Sequence, residues 1–359
     1  MNNKKLISAW WLIAIDILLI AAILSAFSWY HHIKPLWFGL DDEVVVDAPM
    51  GSRPPSALND QPLIGADGYD YSGGFGLKFG NKFLKTGEEI ISTDTQYISH
   101  DISVTLQEVN TKMEYDGKSY TVQYFVYDVY VRNIENLYTV NVTQREPIEN
   151  LIKRQEDHSG VIPNLGAAIA AINGDYWGNA KHTYLAVRNG NILRSSNYIL
   201  SDICVLYYDG TMETITPQNF NWKELSAKAP YQIWNFGPAL LDQQGNMITK
   251  YSNDSFDHNV VDQRHPRMGI GYYEPGHYCF IAVDGRSDDS DGVRMIQMAE
   301  LFYNLGCKAA YNLDGGDSAQ AYFNGTMYRV DQEREQNREP QRELYDIICI
   351  GEVRREVEQ

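Results

Sequence analysis

The sequence is short of positive charge. It contains 30 lysine and arginine residues against 47 aspartate and glutamate residues, a formal net charge of −17 over 359 residues. A protein that binds nucleic acid through bulk electrostatics needs a basic excess to displace counterions, and this chain has none. The sequence therefore excludes general binding of nucleic acid. With 44% hydrophobic and 21% charged residues, the composition is that of a globular protein.

Several common catalytic and metal-binding motifs are also absent. The sequence has no GxSxG, HExxH, P-loop or EF-hand pattern, and its 8 histidines give little support for a serine-hydrolase triad. The 4 cysteines form no CxxC pair, so a zinc site is not indicated. Cys204, Cys279 and Cys349 lie in apolar, strand-like runs, which predicts small buried core residues rather than a disulfide framework.

A long apolar run occupies the N-terminus. The run from Leu6 to Tyr30 follows two lysines and exceeds the roughly 20 apolar residues that span a bilayer as a helix. It is also longer than the apolar core of about 7–15 residues in a cleaved signal peptide. We therefore expect an uncleaved signal anchor over residues 1–30, which contacts the membrane through residues 6–30. The lysines would stay in the cytoplasm, and the chain beyond would be extracytoplasmic in a single-pass protein of the cell membrane.

The rest of the chain divides into segments that differ in amino-acid composition and in the periodicity of their apolar residues. Residues 31–95 carry repeated prolines and a glycine-rich stretch without a regular period, which predicts a linker and an irregular lead-in. From residue 96 the runs alternate and are rich in β-branched and aromatic residues, so Ile102–Val109 and Thr121–Val131 are predicted strands. Leu185–Val187 and Cys204–Tyr208 precede Asn-Gly and Asp-Gly turns that are typical of hairpins. A β-rich domain over residues 96–355 is predicted.

The last third predicts a strand, a helix and a second strand. Tyr278–Val283 is the first strand, Val293–Leu305 has helical spacing with Gly306 as its C-cap, and Ala309–Leu313 is the second strand. If both strands share a sheet they run parallel, and ligands bind at the carboxyl edge of such sheets. We therefore expect a mixed α/β or α+β fold, with a mixed β-sheet core and packed helices behind the N-terminal transmembrane helix.

Two carboxylates follow these strands. Asp284 and Asp314 are each followed by glycine, and paired carboxylates are what glycoside cleavage requires. Hard oxygens also suit Ca²⁺ or Mg²⁺, for which Asp314 and Asp317 are the candidate ligands. Turn formation and helix capping account for the same residues equally. Glu300 is predicted on an apolar helix face, where an acid needs a partner or a raised pKa; acid/base chemistry, orientation of another group and a salt bridge all remain open.

Two further patterns are polar. Asn173-Gly174-Asp175 follows an apolar run and indicates either a loop that faces a pocket or a plain turn. The stretch Arg264-His265-Pro266-Arg267 is a basic island in an acidic chain. With Arg286, its guanidinium groups suit bidentate binding of phosphate or carboxylate, and ordinary salt bridges are the alternative.

Five runs in this order resemble the phosphodiester glycosidase family: AINGDYWG (171–178), NFGPALL (235–241), HPRMGIG (265–271), VDGR (283–286) and NLDGGDSA (312–319). The resemblance covers about residues 96–352. It implies a hydrolase that cleaves the bond between an anomeric carbon and phosphate in a sugar-1-phosphodiester. The extracytoplasmic position suggests cell-envelope or exopolysaccharide phosphoglycans as substrate. No cofactor is required, and a divalent cation such as Ca²⁺ or Mg²⁺ remains open.

The resemblance also implies roles for individual residues. Arg267 and Arg286 would hold the phosphodiester, while Asp284 and Asp314 would stabilise the oxocarbenium-like centre and activate water, with Glu300 as base or orienter. The other matching positions fall in the catalytic or sugar-binding set, and they are Asp175, Asn173, Asn312, Gly315, Gly316 and Ser318.

One departure from the family concerns the substrate. Asp317 stands where the family usually has a glycine or neutral residue, and a carboxylate near a phosphate site is unfavourable unless a cation or arginine offsets it. Three other functions stay open. A metal-dependent phosphodiesterase would cut the P–O bond instead. A glycan- or polyanion-binding module would bind without turnover, and a cell-envelope scaffold would need only the anchor.

Overall fold

A computed structural model describes residues 65–66, 68–69, 74–154, 156–157, 160–161, 165–178, 185–251, 261–329 and 340–353. The chain divides into two compact units, Met1–Asp47 and Ala48–Gln359, and every described residue belongs to the second. The predicted anchor over residues 6–30 lies outside the described residues. Within those residues, every helix is too short or too polar to cross a membrane.

The described part of the second unit consists mainly of strands. Its helices of at least one α-turn are α1 (Gly76–Phe79), α2 (Ile148–Leu151), α3 (Trp222–Ala227) and α4 (Met295–Asn304). Its strands are β1 (Ile91–Ser92), β2 (Gln96–Ile98), β3 (Ile102–Tyr115), β4 (Lys118–Val131), β5 (Leu137–Glu146), β6 (Glu156–Asp157), β7 (Gly160–Val161), β8 (Leu165–Asn173), β9 (Ala186–Arg188), β10 (Asn191–Arg194), β11 (Ile203–Tyr207), β12 (Met212–Ile215), β13 (Pro230–Trp234), β14 (Arg267–Glu274), β15 (His277–Val283), β16 (Ala309–Asn312), β17 (Gln320–Phe323), β18 (Thr326–Arg329) and β19 (Leu344–Val353).

Three sheets surround one central core. Sheet A has the order β1-β2-β3-β4-β15-β14-β16, sheet B the order β18-β17-β8-β19-β5, and sheet C the order β10-β9-β13-β11-β12. Successive side chains of a strand point to opposite faces. On β4, Phe125, Tyr127 and Val129 therefore join the central core, while Val122 and Val126 face the other way.

Each sheet has a second apolar layer on its outer face. Helix α4 packs on sheet A, α2 on sheet B and α3 on sheet C. The prediction of a sheet-rich mixed fold with packed helices is confirmed for the described part of the chain. The sheet already begins at Ile91, ahead of the predicted domain start at residue 96.

The predicted strand, helix and strand are present in sheet A as β15, α4 and β16. Strand β14 lies between β15 and β16 and is antiparallel to both. The two predicted strands therefore run parallel to each other in one sheet, as expected, but they are not neighbours. The C-cap prediction is also confirmed, because Gly306 follows the helix with a left-handed φ of 79°.

The predicted helix starts two residues too early, and the face predicted for Glu300 is wrong. Helix α4 begins at Met295 rather than Val293, and Met298, Ala299 and Phe302 form its buried face. Tyr303 is 50% exposed, so the face shared with Glu300 is not the core face. The cysteine prediction is confirmed, since all 4 cysteines are buried thiols.

Candidate active site

Three chain segments meet at one edge of sheet A. Strand β14 begins with Arg267, which lies opposite Val283 at the end of β15. Further along β14, Gly269 lies opposite Asn312 at the end of β16. The residues that follow β15 and β16 therefore emerge beside the start of β14. The predicted convergence of polar residues at this edge is confirmed.

Sheet B adds the Asn173–Asp175 loop to this edge. The Asn173 side-chain Nδ2 donates to the carbonyl oxygen of Asp314 at 2.7 Å, and the N–H of Asp314 donates to the carbonyl of Gly174 at 3.1 Å. The Asn173 Oδ1 accepts from the N–H of Gln320 at 3.1 Å. Asn173 is buried and its amide binds backbone groups, so it joins the two sheets; contact with a sugar hydroxyl stays a prediction.

A buried ionic cluster holds this loop in place. Asp175 is fully buried, and its Oδ1 accepts from Nη2 of Arg188 at 2.6 Å while its Oδ2 accepts from the N–H of Asn235 at 2.6 Å. The same Nη2 lies 3.5 Å from Oδ2 of Asp346. Both oxygens of Asp175 are thus engaged within the protein, which indicates a positioning role.

Asp346 shapes the loop from the other side. Its oxygens accept from the N–H groups of Asp175 at 3.1 Å and Tyr176 at 3.2 Å. A Cβ at Gly174 would lie 2.0 Å from Oδ2 of Asp346, so only glycine fits there. Burial, and then the charge of Asp175, hold the pKa of Asp346 well above its usual range. The protonated form of this carboxyl is therefore favoured more than in an exposed aspartate.

Asp314 is the carboxyl best placed for chemistry. It keeps partial exposure, and its Oδ1 accepts from the N–H of Gly315 at 2.9 Å. The pKa of Asp314 is raised to about 6, mainly by burial and to a smaller extent by Asp175, against the opposing effects of the Ser318 hydroxyl and the charge of Arg342. A carboxyl that titrates near neutral pH is suited to acid or base catalysis.

Next on the same loop, Asp317 pairs with Arg286. The Asp317 Oδ1 lies 2.6 Å from Nη1 of Arg286, so an arginine offsets the carboxylate that departs from the family pattern. Nη2 of Arg286 donates to Nδ1 of His265 at 3.1 Å. Burial, with Arg267 and Arg286, lowers the pKa of His265 to about 4. Its ring is neutral at pH 7, and because Nδ1 accepts, Nε2 carries the proton and can donate.

The glycine pair permits this close packing. A Cβ at Gly315 would lie 2.8 Å from the carbonyl oxygen of Pro266, which is closer than real Cβ contacts. Gly316 has a φ of 58° and lies against the guanidinium of Arg286. Both predicted glycines thus bring the Asp314 loop against the basic island.

Two other predicted residues, Arg267 and Asp284, are also buried. Arg267 donates to the carbonyls of Val293 and Gln263 at 3.1 Å each, and burial lowers its pKa to about 10, so it stays charged. Asp284 is fully buried, and its Oδ1 accepts from the N–H of Gly285 at 2.7 Å.

Asn312 has one unsatisfied atom. Its Nδ2 donates to the carbonyl of Gly237 at 2.8 Å, but its Oδ1 is buried without a hydrogen-bond partner. A buried acceptor of this kind is costly unless a ligand donates to it. This favours the predicted contact with a sugar hydroxyl.

The structure does not bring Glu300 to this edge. Helix α4 starts there, since Val293 pairs with His265, and it then runs away from the edge. With a rise of about 1.5 Å per residue, Glu300 lies roughly 9 Å along the helix from its cap at Arg294. In the described part of the chain, no cluster of three or more acidic, histidine or cysteine side chains is arranged to hold a metal ion.

Sequence reasoning missed Arg188, Asp346 and Arg342. The only signal for the first two was a charged residue inside an apolar strand, since Arg188 ends β9 and Asp346 lies in β19. Such residues are rarely buried unless they are paired. Their partners lie in other strands, so the pairing itself has no local signature.

Sequence comparisons agree with these motifs. A sequence model described as phosphodiester glycosidase matches residues 166–351. The SPbeta prophage-derived uncharacterized protein YomE of Bacillus subtilis strain 168 is 27% identical over 281 residues, which cover 73% of this chain and 41% of that protein. Bovine N-acetylglucosamine-1-phosphodiester alpha-N-acetylglucosaminidase is 30% identical over 98 residues, or 27% of this chain and 18% of the bovine one. The chain thus spans less than half the length of these relatives.

Solved structures share the fold. The catalytic domain of zebrafish N-acetylglucosamine-1-phosphodiester alpha-N-acetylglucosaminidase, auto-inhibited by its pro-peptide, superposes with a TM-score of 0.55 at 18% identity, covering 74% of this chain and 88% of that one. A hypothetical protein from Synechocystis superposes with a TM-score of 0.51 at 13% identity, covering 75% and 64%.

Proposed function

Because the chain belongs to the phosphodiester glycosidase family, we propose that it hydrolyses the bond between a sugar anomeric carbon and phosphate in sugar-1-phosphodiesters. The observation that carries the proposal is Asp314, a partly exposed carboxyl with a pKa of about 6 at the edge where the family motifs meet. The Arg286–Asp317 pair and the N–H of the neutral His265 ring lie on the adjoining segments. A carboxylate beside a guanidinium matches a reaction in which positive charge develops on a sugar and negative charge on phosphate.

In the proposed reaction, Asp314 acts in its ionised form. It removes a proton from a water molecule whose oxygen bonds to the anomeric carbon, while the bond from that carbon to the phosphate oxygen breaks. The electron pair of that bond leaves with the phosphomonoester, whose charge Arg286 and Arg267 stabilise. A phosphate leaves readily, so Asp314 has no need to donate a proton to it. Asn312 would bind a sugar hydroxyl through its unsatisfied Oδ1.

The other predicted catalytic groups have supporting places in this proposal. Asp284 and Asp175 are fully buried, and we assign them to holding the two loops; direct contact with substrate stays a prediction for both. Glu300 would act through other groups. We also propose that the protein is anchored through residues 6–30 with this site outside the membrane, and that its substrates are phosphoglycans of the cell envelope.

A product assay tests the proposal. The full-length protein is incubated with α- and β-linked sugar-1-phosphodiesters, with and without EDTA, and the products are identified. Free reducing sugar with a phosphomonoester supports the glycosidase. Sugar-1-phosphate, formed only without EDTA, would instead indicate a metal-dependent phosphodiesterase, and binding without any product would indicate a binding module.

Two variants and the pH dependence of kcat/KM test the role of Asp314 as the base. Asp314→Asn removes the base and should lower kcat by at least about a hundredfold. Asp209→Asn is the matched control, because Asp209 also precedes a glycine after a strand but is an exposed residue of a hairpin turn. In the unsubstituted protein, kcat/KM should rise with pH through about 6, since the base must be ionised. A fall through that range would refute the role as base.

A further inference from the structure

Two arginines and two tyrosines form a cluster beside Asp314 that the proposed reaction does not use. The guanidinium carbon of Arg145, on β5, lies 5.0 Å from the ring centre of Tyr176 and 4.9 Å from that of Tyr345. The two rings are 5.6 Å apart and nearly perpendicular. Arg342 approaches the ring of Tyr176 at 6.0 Å. We name these four residues the Arg–Tyr cluster.

The arginines of the cluster have hydrogen-bonding capacity to spare. The Arg145 Nη2 donates to the Tyr176 hydroxyl, but its buried Nε has no hydrogen-bond partner. The described contacts of Arg342 are a backbone hydrogen bond from Gln320 to its carbonyl and the approach to Tyr176, and none is an ion pair. A guanidinium has five N–H donors, and burying them without acceptors is costly. N–H groups of these arginines therefore remain without acceptors, and a bound ligand could supply the acceptor atoms.

This sets the cluster apart from Arg188 and Arg286. Arg188 is neutralised by Asp175 and Asp346, and Arg286 by Asp317. No described carboxylate forms an ion pair with Arg145 or Arg342, although the chain as a whole carries a net charge of −17. Two arginines without a described carboxylate partner, in a protein that is acidic overall, favour the binding of an anionic ligand.

The cluster is connected to the reacting loop. The charge of Arg342 acts on Asp314, whose pKa it lowers. Tyr176 continues the loop that Asp346 holds, through its N–H at 3.2 Å. Tyr176 also follows Gly174 by two residues, and the carbonyl of Gly174 accepts from the N–H of Asp314 at 3.1 Å. The cluster therefore adjoins the loop that carries Asp314. A guanidinium group held against an aromatic ring points its N–H groups in a fixed direction. This suits bidentate hydrogen bonding to two oxygens of a phosphate group.

We propose that the Arg–Tyr cluster binds a second phosphate group of the same glycan, so that the preferred substrate carries phosphates on successive repeat units. This assignment rests on the proposed function, since it names the substrate class of that site. It gives the enzyme a preference for phosphoglycan chains over single sugar-1-phosphodiesters.

The test compares two substrates. The ratio of kcat/KM for an oligomer with two or more phosphates to that for a single sugar-1-phosphodiester is measured for the unsubstituted protein, Arg145→Gln and Arg145→Lys. Arg145→Gln should lower this ratio by at least about tenfold, equivalent to 1.4 kcal/mol, and Arg145→Lys should lower it less because it keeps the charge. Arg154→Gln is the control, because Arg154 lies nearby in the chain but pairs with Glu146; its ratio should not change.

Equal loss on both substrates, or the same loss in Arg154→Gln, would overturn the assignment. A separate arm does not depend on turnover: binding of inorganic tripolyphosphate is measured by calorimetry, with thermal unfolding to show that each variant is folded. We expect binding by the unsubstituted protein that weakens at least tenfold in Arg145→Gln and Arg342→Gln. Absence of binding would overturn the cluster as an anion site. Failure to hydrolyse either substrate, with tripolyphosphate binding intact, would overturn the proposed function and leave the cluster as an anion site.

Discussion

Arg188→Gln should be the most damaging single substitution at the site. The arginine is fully buried and compensates two buried carboxyl groups, with Nη2 at 2.6 Å from Asp175 and 3.5 Å from Asp346. Removing one partner of a buried ion pair costs about 3–5 kcal/mol. For a domain of about 150–250 residues each kcal/mol lowers Tm by about 2–4 °C, so we expect a fall of at least about 6 °C.

The loss should also depend on pH, with a definite sign. Arg188 lowers the pKa of Asp346, which burial already holds well above its usual range. Without the arginine this pKa rises further. A carboxyl whose folded pKa exceeds its unfolded one destabilises the protein once pH exceeds the unfolded value, because the unfolded state then ionises more easily. The Tm deficit of Arg188→Gln should therefore be larger at pH 8 than at pH 5.

Thermal unfolding of both proteins at the two pH values is the assay. Arg154→Gln is again the control, since its pair with Glu146 is partly exposed and should contribute about 1 kcal/mol or less. A deficit that is equal at both pH values would refute the ionic explanation and leave only lost packing. A deficit no larger than that of Arg154→Gln would refute the role of the buried cluster altogether.

Three further predictions concern activity. Gly315→Ala should lower kcat/KM at least about tenfold, because its Cβ would lie 2.8 Å from the carbonyl of Pro266 and displace the Asp314 loop; unchanged steady-state kinetics would contradict this. Arg342→Gln should move the acidic limb of the pH–rate profile above about 6, because it removes a charge that lowers the pKa of Asp314; an unmoved limb in the same titration would show that the two groups do not interact. Asp317→Asn should strengthen inhibition by inorganic phosphate about two- to fivefold, because it releases Arg286 from a partly exposed pair; an inhibition constant that rises would mean that Asp317 is needed to orient the arginine.

The strands and the helix that position Asp284 and Asp314 were predictable, because their signals lie within short segments of the sequence. Each apolar run ends at an aspartate, Asp284 or Asp314, that is followed by glycine. The helix between them is indicated by the helical spacing of its apolar residues and by Gly306. These signals placed both residues at one edge of a sheet. The insertion of β14 between the two strands was not predictable, since its pairing with β15 and β16 leaves no mark in the spacing of any one segment.

The side chains that pair with the site residues could not be predicted either, because they lie in distant segments of the sequence. The sequence left Asp175 either in a loop that faces a pocket or in a plain turn. It is instead buried against Arg188, and no pattern within Asn173-Gly174-Asp175 indicates that. The face of Glu300 was mispredicted because apolar residues lie on two sides of this helix. The buried side is formed by Met298, Ala299 and Phe302, whereas Tyr303, on the side of Glu300, is half exposed. Burial of a charged residue becomes visible only when its distant partner is known.

The position of β19 has a consequence for biosynthesis. It is the last strand described, and it lies inside its sheet, between β8 and the edge strand β5. It also carries Asp346, which is 171 positions from the Asp175 N–H that it accepts. During synthesis from the N-terminus, β5 and β8 emerge before the strand that pairs with both of them. Full shaping of the Asn173–Asp175 loop, and with it any activity at Asp314, can therefore begin only after β19 has left the ribosome.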